Sequence, residues 1–288
     1  ILIPPSIMLV VMGPVLEIPV TDLFAAAIIP GIMLASLYAG YTTLRCFLNP
    51  KLGPVLPASE RPKNMGKVWY EFFMGLVPPA ALVFFALGSI LFGLATPTEG
   101  AGMGAFGSIL LAVAYKKFTY KKLKEAMIKT LEITALIMFL VAASNFFGAV
   151  FSKLGTPSLL TDYLLGLEIN KYWILAIMMA VIFLLGWPLE WVPIVLIVLP
   201  ILLPLVQELG FNLTWFAILV AVNLQTAWLS PPVALSAYFL KGVVPEWDLK
   251  DIYLGMMQFM VIQVLGLVLI IIFPKIALWL PSIMYPSP

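Results

Sequence analysis

Long apolar runs separated by short polar punctuation dominate this chain. At about 20 apolar residues per membrane crossing, they predict spans near residues 22–46, 68–93, 97–115, 126–151 and 251–273. The apolar stretches between residues 153 and 241 do not fit that pattern. Lys171 to Leu185 gives roughly 22 Å of helix, too short for a hydrocarbon core of about 30 Å. It stops at Gly186-Trp187-Pro188-Leu189-Glu190-Trp191, and a second stretch, Val192 to Val206, runs back to Gln207-Glu208-Leu209-Gly210. This reads as a re-entrant hairpin, a feature tolerated at membrane depth only where the backbone is buried in protein or lines a cavity. The alternative is one long span over 172–206, bent by Pro193, Pro200 and Pro204. The acidic residue at the tip and the parity of the crossings argue against it. Leu213 to Ala227 then re-enters as a half-helix, breaks at Leu229 to Pro232 and finishes as Val233 to Leu240.

The break has a counterpart at the start of the chain. Pro4-Pro5 and Pro231-Pro232 each sit inside an apolar run and are followed by a glycine (Gly13, Gly242). A Pro-containing polar loop comes next, then Asp-Leu (Asp22-Leu23, Asp248-Leu249) opening another apolar segment. This reads as one module present twice. Discontinuous helices in corresponding places of two repeats point to the binding site of a secondary transporter.

With 62% hydrophobic and 10% charged residues and a mean hydropathy of +1.08, the composition is far from that of a soluble domain, where charged residues make up about 25%. The absence of histidine removes His-based acid–base chemistry and most zinc sites, and Cys46 has no second cysteine to pair with. Lys and Arg gather at 45–67, at 116–129 and at Lys241 and Lys250, whereas the turns at 13–21 and 93–97 carry none. The positive-inside rule places those basic segments in the cytoplasm. On that assignment the two Pro-Pro modules run in opposite directions, as an inverted repeat. The basic stretch Lys116 to Lys124 reads as a surface helix at the inner leaflet, and Thr156-Pro157 as an N-cap plus first-position proline opening a short helix, Ser158 to Leu167. The chain opens at Ile1 inside a motif rather than at an initiator Met, so a preceding N-terminal part is expected.

Each Pro-Pro removes two backbone donors, so carbonyls just upstream lose their helical partners. At the second break these lie between Gln225 and Ser230, with hydroxyls from Thr226 and Ser230. An oxygen-only, weakly charged site of this kind suits sodium better than a transition metal. Downstream, free amides of Val233 and Ala234 would open a half-helix whose positive dipole end favours an anion. Asn223 and Gln225 either join this site or bond a neighbouring helix. Glu190, at the hairpin tip, either ligates, caps amides or carries a proton there, or is solvated. Glu99, in Thr96-Pro97-Thr98-Glu99-Gly100, reads as a first-turn acid behind an N-cap. The glycines at 100, 102, 104 and 107 would admit a close neighbouring helix.

Four segments together resemble the DctM-type large membrane subunit of tripartite ATP-independent periplasmic (TRAP) transporters. They are ILIPPSIMLVV at 1–11, ATPTEGAG at 95–102, LGWPLEWVPIVLIVLPILLPL at 185–205 and VAVNLQTAWLSPPVAL at 220–235. The resemblance covers the whole chain. It implies a mobile transport domain of re-entrant hairpins and broken helices that moves like an elevator, a small four-helix membrane subunit and a periplasmic substrate-binding protein. It further implies sodium sites near Ile3 and Pro4 and near Gln225, Thr226, Leu229, Ser230 and Pro231. The hairpin tip, with Gly186, Trp187, Pro188 and Glu190, would lie beside the second site. The family usually carries Asp where Glu190 stands. Its first hairpin would precede Ile1, so this polypeptide alone is not expected to transport.

The fold class expected is thus an all-α polytopic membrane protein with an inverted-repeat, ion-transporter-type arrangement, in a bacterial or archaeal inner membrane. Residues 1–13 and 152–241 would form the transport domain, 14–67 a connecting helix and linker, 68–151 scaffold helices and 242–288 a last span and tail. The function expected is sodium-coupled import of a small organic anion, with no enzymatic activity and no nucleic-acid partner. An ATP-driven permease subunit and a non-transporting assembly subunit are the alternatives. An intramembrane enzyme is disfavoured, since neither HExxH nor GxSxG is present.

Overall fold

The computed structural model describes every residue except 55, 56, 58–60, 63, 232, 233 and 286–288. The described residues form helices and turns, with no strand among them, and fall into two compact units: residues 1–37 with 132–288, and residues 38–131. Five helical stretches are long and apolar enough to cross a membrane: Val20–Leu48, Met65–Leu91, Tyr120–Lys153, Trp191–Glu208 and Leu249–Ile272. Four of these coincide with expected spans. The fifth is the stretch read as the returning arm of the hairpin. The expected span at 97–115 is a helix, α4 (Pro97–Ala114), but is not among the five, because Glu99 and four glycines dilute its apolar character.

The first unit is built around one helix. Its elements are α1 (Ile7–Leu16), the first part of α2 (Val20–Leu48), the last part of α5 (Tyr120–Lys153), α6 (Thr156–Leu165), α7 (Lys171–Gly186), α8 (Trp191–Pro193), a π-helical segment (Ile194–Val198), α9 (Leu199–Glu208), α10 (Leu213–Leu224), α11 (Thr226–Leu229), α12 (Leu235–Val243), α13 (Leu249–Ile272) and α14 (Lys275–Met284). Helix α10 is apolar on every side, the signature of a fully enclosed helix, and Trp215 through Leu224 are all buried. Asn212 caps it, accepting the Trp215 amide at 3.0 Å. Around it pack α1, α7, α9, α13 and α14.

Helix α13 runs unbroken alongside α10, α11 and α12. Three fixed points give the antiparallel register. The Trp215 indole donates to the Ile270 carbonyl at 3.0 Å, Gln263 donates to the Val222 carbonyl at 2.8 Å, and Ile252 packs with Ala234 and Ala237. One continuous helix thus splints an interrupted one.

At the end of α7 the chain reverses. Residues 187–190 are non-helical, and the π-helical segment then packs within 8 Å (Cα–Cα) of α7. In a straight helix running through 172–206, at 1.5 Å per residue, Gly186 and Ile194 would stand about 12 Å apart, so the chain is sharply bent at residues 187–190.

The second unit contains the end of α2, α3 (Met65–Leu91), α4 (Pro97–Ala114) and the start of α5. Helix α3 ends on Gly93, whose φ of +70° suits a residue without a Cβ. Helix α4 opens on the expected Thr96 N-cap with its first-turn acid, and the two close a capping box: Glu99 accepts the Thr96 amide at 2.8 Å, and Thr96 Oγ1 accepts the Glu99 amide at 3.3 Å. Gly100, Gly104 and Gly107 face Ile90, Ala86 and Leu82 of α3. Gly102 faces nothing within 4 Å and takes no part.

Other expectations shift at the level of caps. Gly13 lies inside α1, which continues to Leu16 and stops on Glu17 in the left-handed region. The short helix after α5 is capped by Gly155, with Thr156 already helical. Lys116 to Lys124 is not a surface helix. Lys116 adopts φ +55°, and the amides of Lys117 and Phe118 both donate to the Ala112 carbonyl, at 2.9 and 3.0 Å. Thr119 then caps α5 through the Lys122 amide at 3.3 Å.

Candidate functional site

The interruption between α10 and α12 arises from residue chemistry. Pro231 and Pro232 have no N–H, so the carbonyls four residues earlier, those of Ala227 and Trp228, have no α-helical donor. No described backbone amide replaces it. The neighbouring carbonyls are occupied: that of Gln225 by the Trp228 amide at 3.2 Å, that of Thr226 by the Ser230 amide at 2.9 Å, and that of Ser230 by the Ala234 amide at 2.9 Å. The chain is extended at Ser230, with φ −99° and ψ 133°.

The last of those bonds corrects the anion site expected from free amides. The Ala234 amide is not free, because the chain curls back so that it closes on Ser230. Ala234 itself is fully buried at φ +26°, and no side chain caps α12. Val233 lies outside the described residues.

Side chains gather at the same place. Four buried side-chain nitrogen or oxygen atoms among the described residues lack a partner, and three of them, Asn223 Oδ1, Trp228 Nε1 and Ser230 Oγ, lie on this short stretch. Asn223 is held from the other end of its amide, where Nδ2 donates to the Met179 carbonyl of α7 at 2.7 Å, which leaves Oδ1 as the unused acceptor. Thr226 Oγ1 donates to the Asn223 carbonyl at 2.7 Å and keeps its lone pairs. Gln225 is tied to α13, its Oε1 accepting from Gln263 Nε2 at 2.8 Å. The set is oxygen-rich and uncharged. No cluster of His, Cys, Asp or Glu suited to a metal occurs among the described residues.

The reversal after α7 meets this stretch at one point: a Cβ on Gly186 would stand 3.4 Å from the Cβ of Ala227. Gly186 is buried, while Trp187, Pro188 and Glu190 are exposed, and the Glu190 side chain caps nothing. At the first Pro-Pro, Leu2, Pro4 and Ser6 are buried and Ile3 is exposed, its side chain lying over Gly31 of α2. Ser6 Oγ accepts the Leu9 amide at 3.4 Å and so caps α1, a bond with no counterpart at α12. A cavity of about 460 Å³ also opens between α5, α6 and α9, with Ser144, Asn145, Ser152 and Ser158 in its wall.

The carbonyls of Ala227 and Trp228 fall within the Gln225 to Ser230 stretch expected from the sequence, and counting four residues back from each proline picks them out. One participant, Gln263, was not legible as a site residue. Gln263 stands out as an amide in an otherwise apolar span, although nothing in the sequence names Gln225 as its partner.

Within the first unit, apolar helices surround a helix break lined by uncharged oxygens, and five helices among the described residues are long and apolar enough to cross a bilayer, the marks of a multi-pass membrane protein. Residues 1–276 match the family described as tripartite ATP-independent periplasmic transporter, DctM component, and the chain belongs to that family. Its relatives include the sialic acid TRAP transporter permease protein SiaT of Haemophilus influenzae, 26% identical over 99% of this chain and 45% of that protein. The large permease SiaM of Vibrio cholerae is 28% identical over 98% of this chain and 64% of its own length. The C4-dicarboxylate large permease DctM of Rhodobacter capsulatus is 28% identical over 99% and 66%. The chain therefore spans about half to two thirds of the relatives it matches.

Proposed function

We propose that this chain supplies the second half of a sodium-coupled permease that imports a small organic anion of the carboxylate type. The anion is handed over by a periplasmic binding protein, and a small four-helix membrane subunit completes the assembly. The observation that carries the reading is the set of unpartnered oxygens at the break. Burying a polar atom without a hydrogen bond costs about 1–3 kcal/mol, and a bound cation would relieve that cost at Asn223 Oδ1, at Ser230 Oγ and at the carbonyls of Ala227 and Trp228. Neutral oxygen ligands suit an alkali cation, and Thr226 Oγ1 adds lone pairs. Sodium is cargo here, bound and released in each cycle. A second sodium near Ile3 and Pro4 belongs to the same reading.

Trp228 Nε1 is a donor and suits an acceptor oxygen, such as one on a carboxylate. The substrates named for relatives (sialic acid, C4-dicarboxylates and, for YiaN of Escherichia coli, 2,3-diketo-L-gulonate) are all carboxylates. On this reading α7 to α9 form a re-entrant hairpin with Gly186 to Glu190 at its tip, and residues 1–13 and 152–241 make up a transport domain. That domain rocks like an elevator against scaffold helices in 68–151, and the two Pro-Pro modules are oppositely directed repeats.

The test is uptake into proteoliposomes containing the full-length large subunit and its small partner, with the binding protein and labelled organic acids outside. Uptake that follows an inward sodium gradient, ignores ATP and needs the binding protein supports the reading. Uptake indifferent to sodium overturns it.

A further inference from the structure

The turn between α4 and α5 carries a feature that plays no part in the break. Six lysines stand between residues 116 and 132 against two acids, Glu125 and Glu132. Of the acids, Glu125 sits 4.0 Å from Lys121, a weak exposed pair. So much like charge at one end of a membrane helix favours a resident counter-anion.

Between the last turns of α4 and the first turns of α5 lies a notch of about 160 Å³. Its lining is mostly apolar, with Ile109, Ala112, Leu123 and Ala126, and Lys117 and Lys122 also line it. Lys122 Nζ reaches across to the Lys117 carbonyl at 3.5 Å. The hydroxyls in the wall are already used: Ser108 donates to the Ala105 carbonyl at 2.7 Å, and Thr119 accepts the Lys122 amide. Polar recognition therefore falls to the two ammonium groups.

A second groove shares Leu123 with the notch. Tyr120, Leu123, Lys124, Met127, Ile128 and Leu131 form one face of α5 and line about 480 Å³. Tyr120, Met127 and Leu131 are 78%, 64% and 69% exposed. The stripe runs from Tyr120 to Leu131, 12 residues, roughly 16 Å of helix between its ends, about one leaflet of a 30 Å core. A soluble anion would fill the charged end and leave the stripe bare. We propose that the α4–α5 turn binds an anionic glycerophospholipid, its phosphate between Lys117 and Lys122 and one acyl chain along Tyr120 to Leu131.

The experiment uses the full-length subunit with its small partner in detergent, and native mass spectrometry after titration with dioleoyl phosphatidylglycerol, dioleoyl phosphatidylcholine or glycerol 1-phosphate. Phosphatidylglycerol should be retained over phosphatidylcholine. Lys117→Gln with Lys122→Gln should weaken its retention roughly tenfold or more, while Lys117→Arg with Lys122→Arg keeps it. Lys129→Gln, outside the notch, should leave it unchanged. Equal retention of the two lipids, full retention by the double Gln variant, or displacement of phosphatidylglycerol by equimolar glycerol 1-phosphate would each overturn the proposal.

Discussion

Gln263 of α13 donates through Nε2 to the side-chain oxygen of Gln225, 2.8 Å away, at the residue where α10 gives way to α11. The same nitrogen reaches the Val222 carbonyl at 2.8 Å. A continuous helix thus grips an interrupted one one turn before the interruption and holds α10 in register at the point where the break begins. Rigid support on one side of a break is what a site assembled from backbone oxygens requires, since no side-chain cage holds those oxygens in place.

Gln263→Leu should therefore loosen the break without touching the oxygens proposed to bind cargo. Interhelical hydrogen bonds inside membrane proteins contribute about 0.6–2 kcal/mol, and the variant also strands Gln225 Oε1. The expected result is a lower unfolding midpoint for the full-length subunit, by about 1–3 kcal/mol of stability, together with weaker sodium activation. Unchanged stability in a denaturation series would show that the splint contributes nothing.

Replacing Pro231 and Pro232 together by Ala returns two amides to the chain. Those amides can bond the Ala227 and Trp228 carbonyls and extend α11 through the interruption. Sodium dependence of uptake by the complete transporter should weaken by roughly tenfold in half-saturating concentration, the equivalent of about 1.4 kcal/mol. Sodium activation identical to the parent protein would sink the assignment of those carbonyls.

The glycines of α4 offer a matched pair. A Cβ at Gly100 would lie 2.6 Å from Ile90, whereas at Gly102 it meets nothing within 4 Å. Gly100→Leu should destabilise α3–α4 packing by about 1–3 kcal/mol. Gly102→Ala should be neutral or stabilising by about 0.4–1 kcal/mol, through lower freedom of the unfolded chain. Thermal unfolding of the two variants side by side measures the contrast, and equal effects would mean that α4 does not use its glycines for contact.

What could be read from the residues alone follows from the range of each interaction. Spans α2, α3, α5 and α13 rest on local apolar length, and the Thr96 to Glu99 box on a three-residue spacing, so both were visible. The helix interruption at residues 187–190 was visible because Gly186 and Pro188 punctuate an apolar run. The turn at Lys116 was not, because a left-handed lysine carries no glycine signal, and its geometry is set by the shared Ala112 carbonyl. The closure of Ala234 on Ser230 was equally hidden. The pairing of Gln225 with Gln263, and of Asn223 with the Met179 carbonyl, joins residues 38 and 44 positions apart, and one sequence holds no record of such distances.

Trp228 separates cargo from cation. Its indole N–H is buried and unpartnered beside the break, and its ring lies 6.5 Å from that of Phe239 on α12. A donor cannot ligate sodium, so if the N–H serves the transported carboxylate, Trp228→Phe removes that bond and keeps the aromatic contact. The apparent KM for the organic acid should rise by roughly tenfold, as for one lost hydrogen bond to a charged group, with the sodium dependence unmoved. Ser230→Ala should do the reverse, raising the sodium requirement and sparing the KM at saturating sodium. Uptake kinetics over a grid of both concentrations distinguish the two variants. If both shift the same parameter, or Trp228→Phe shifts neither, the division of labour between the indole and the hydroxyl is wrong.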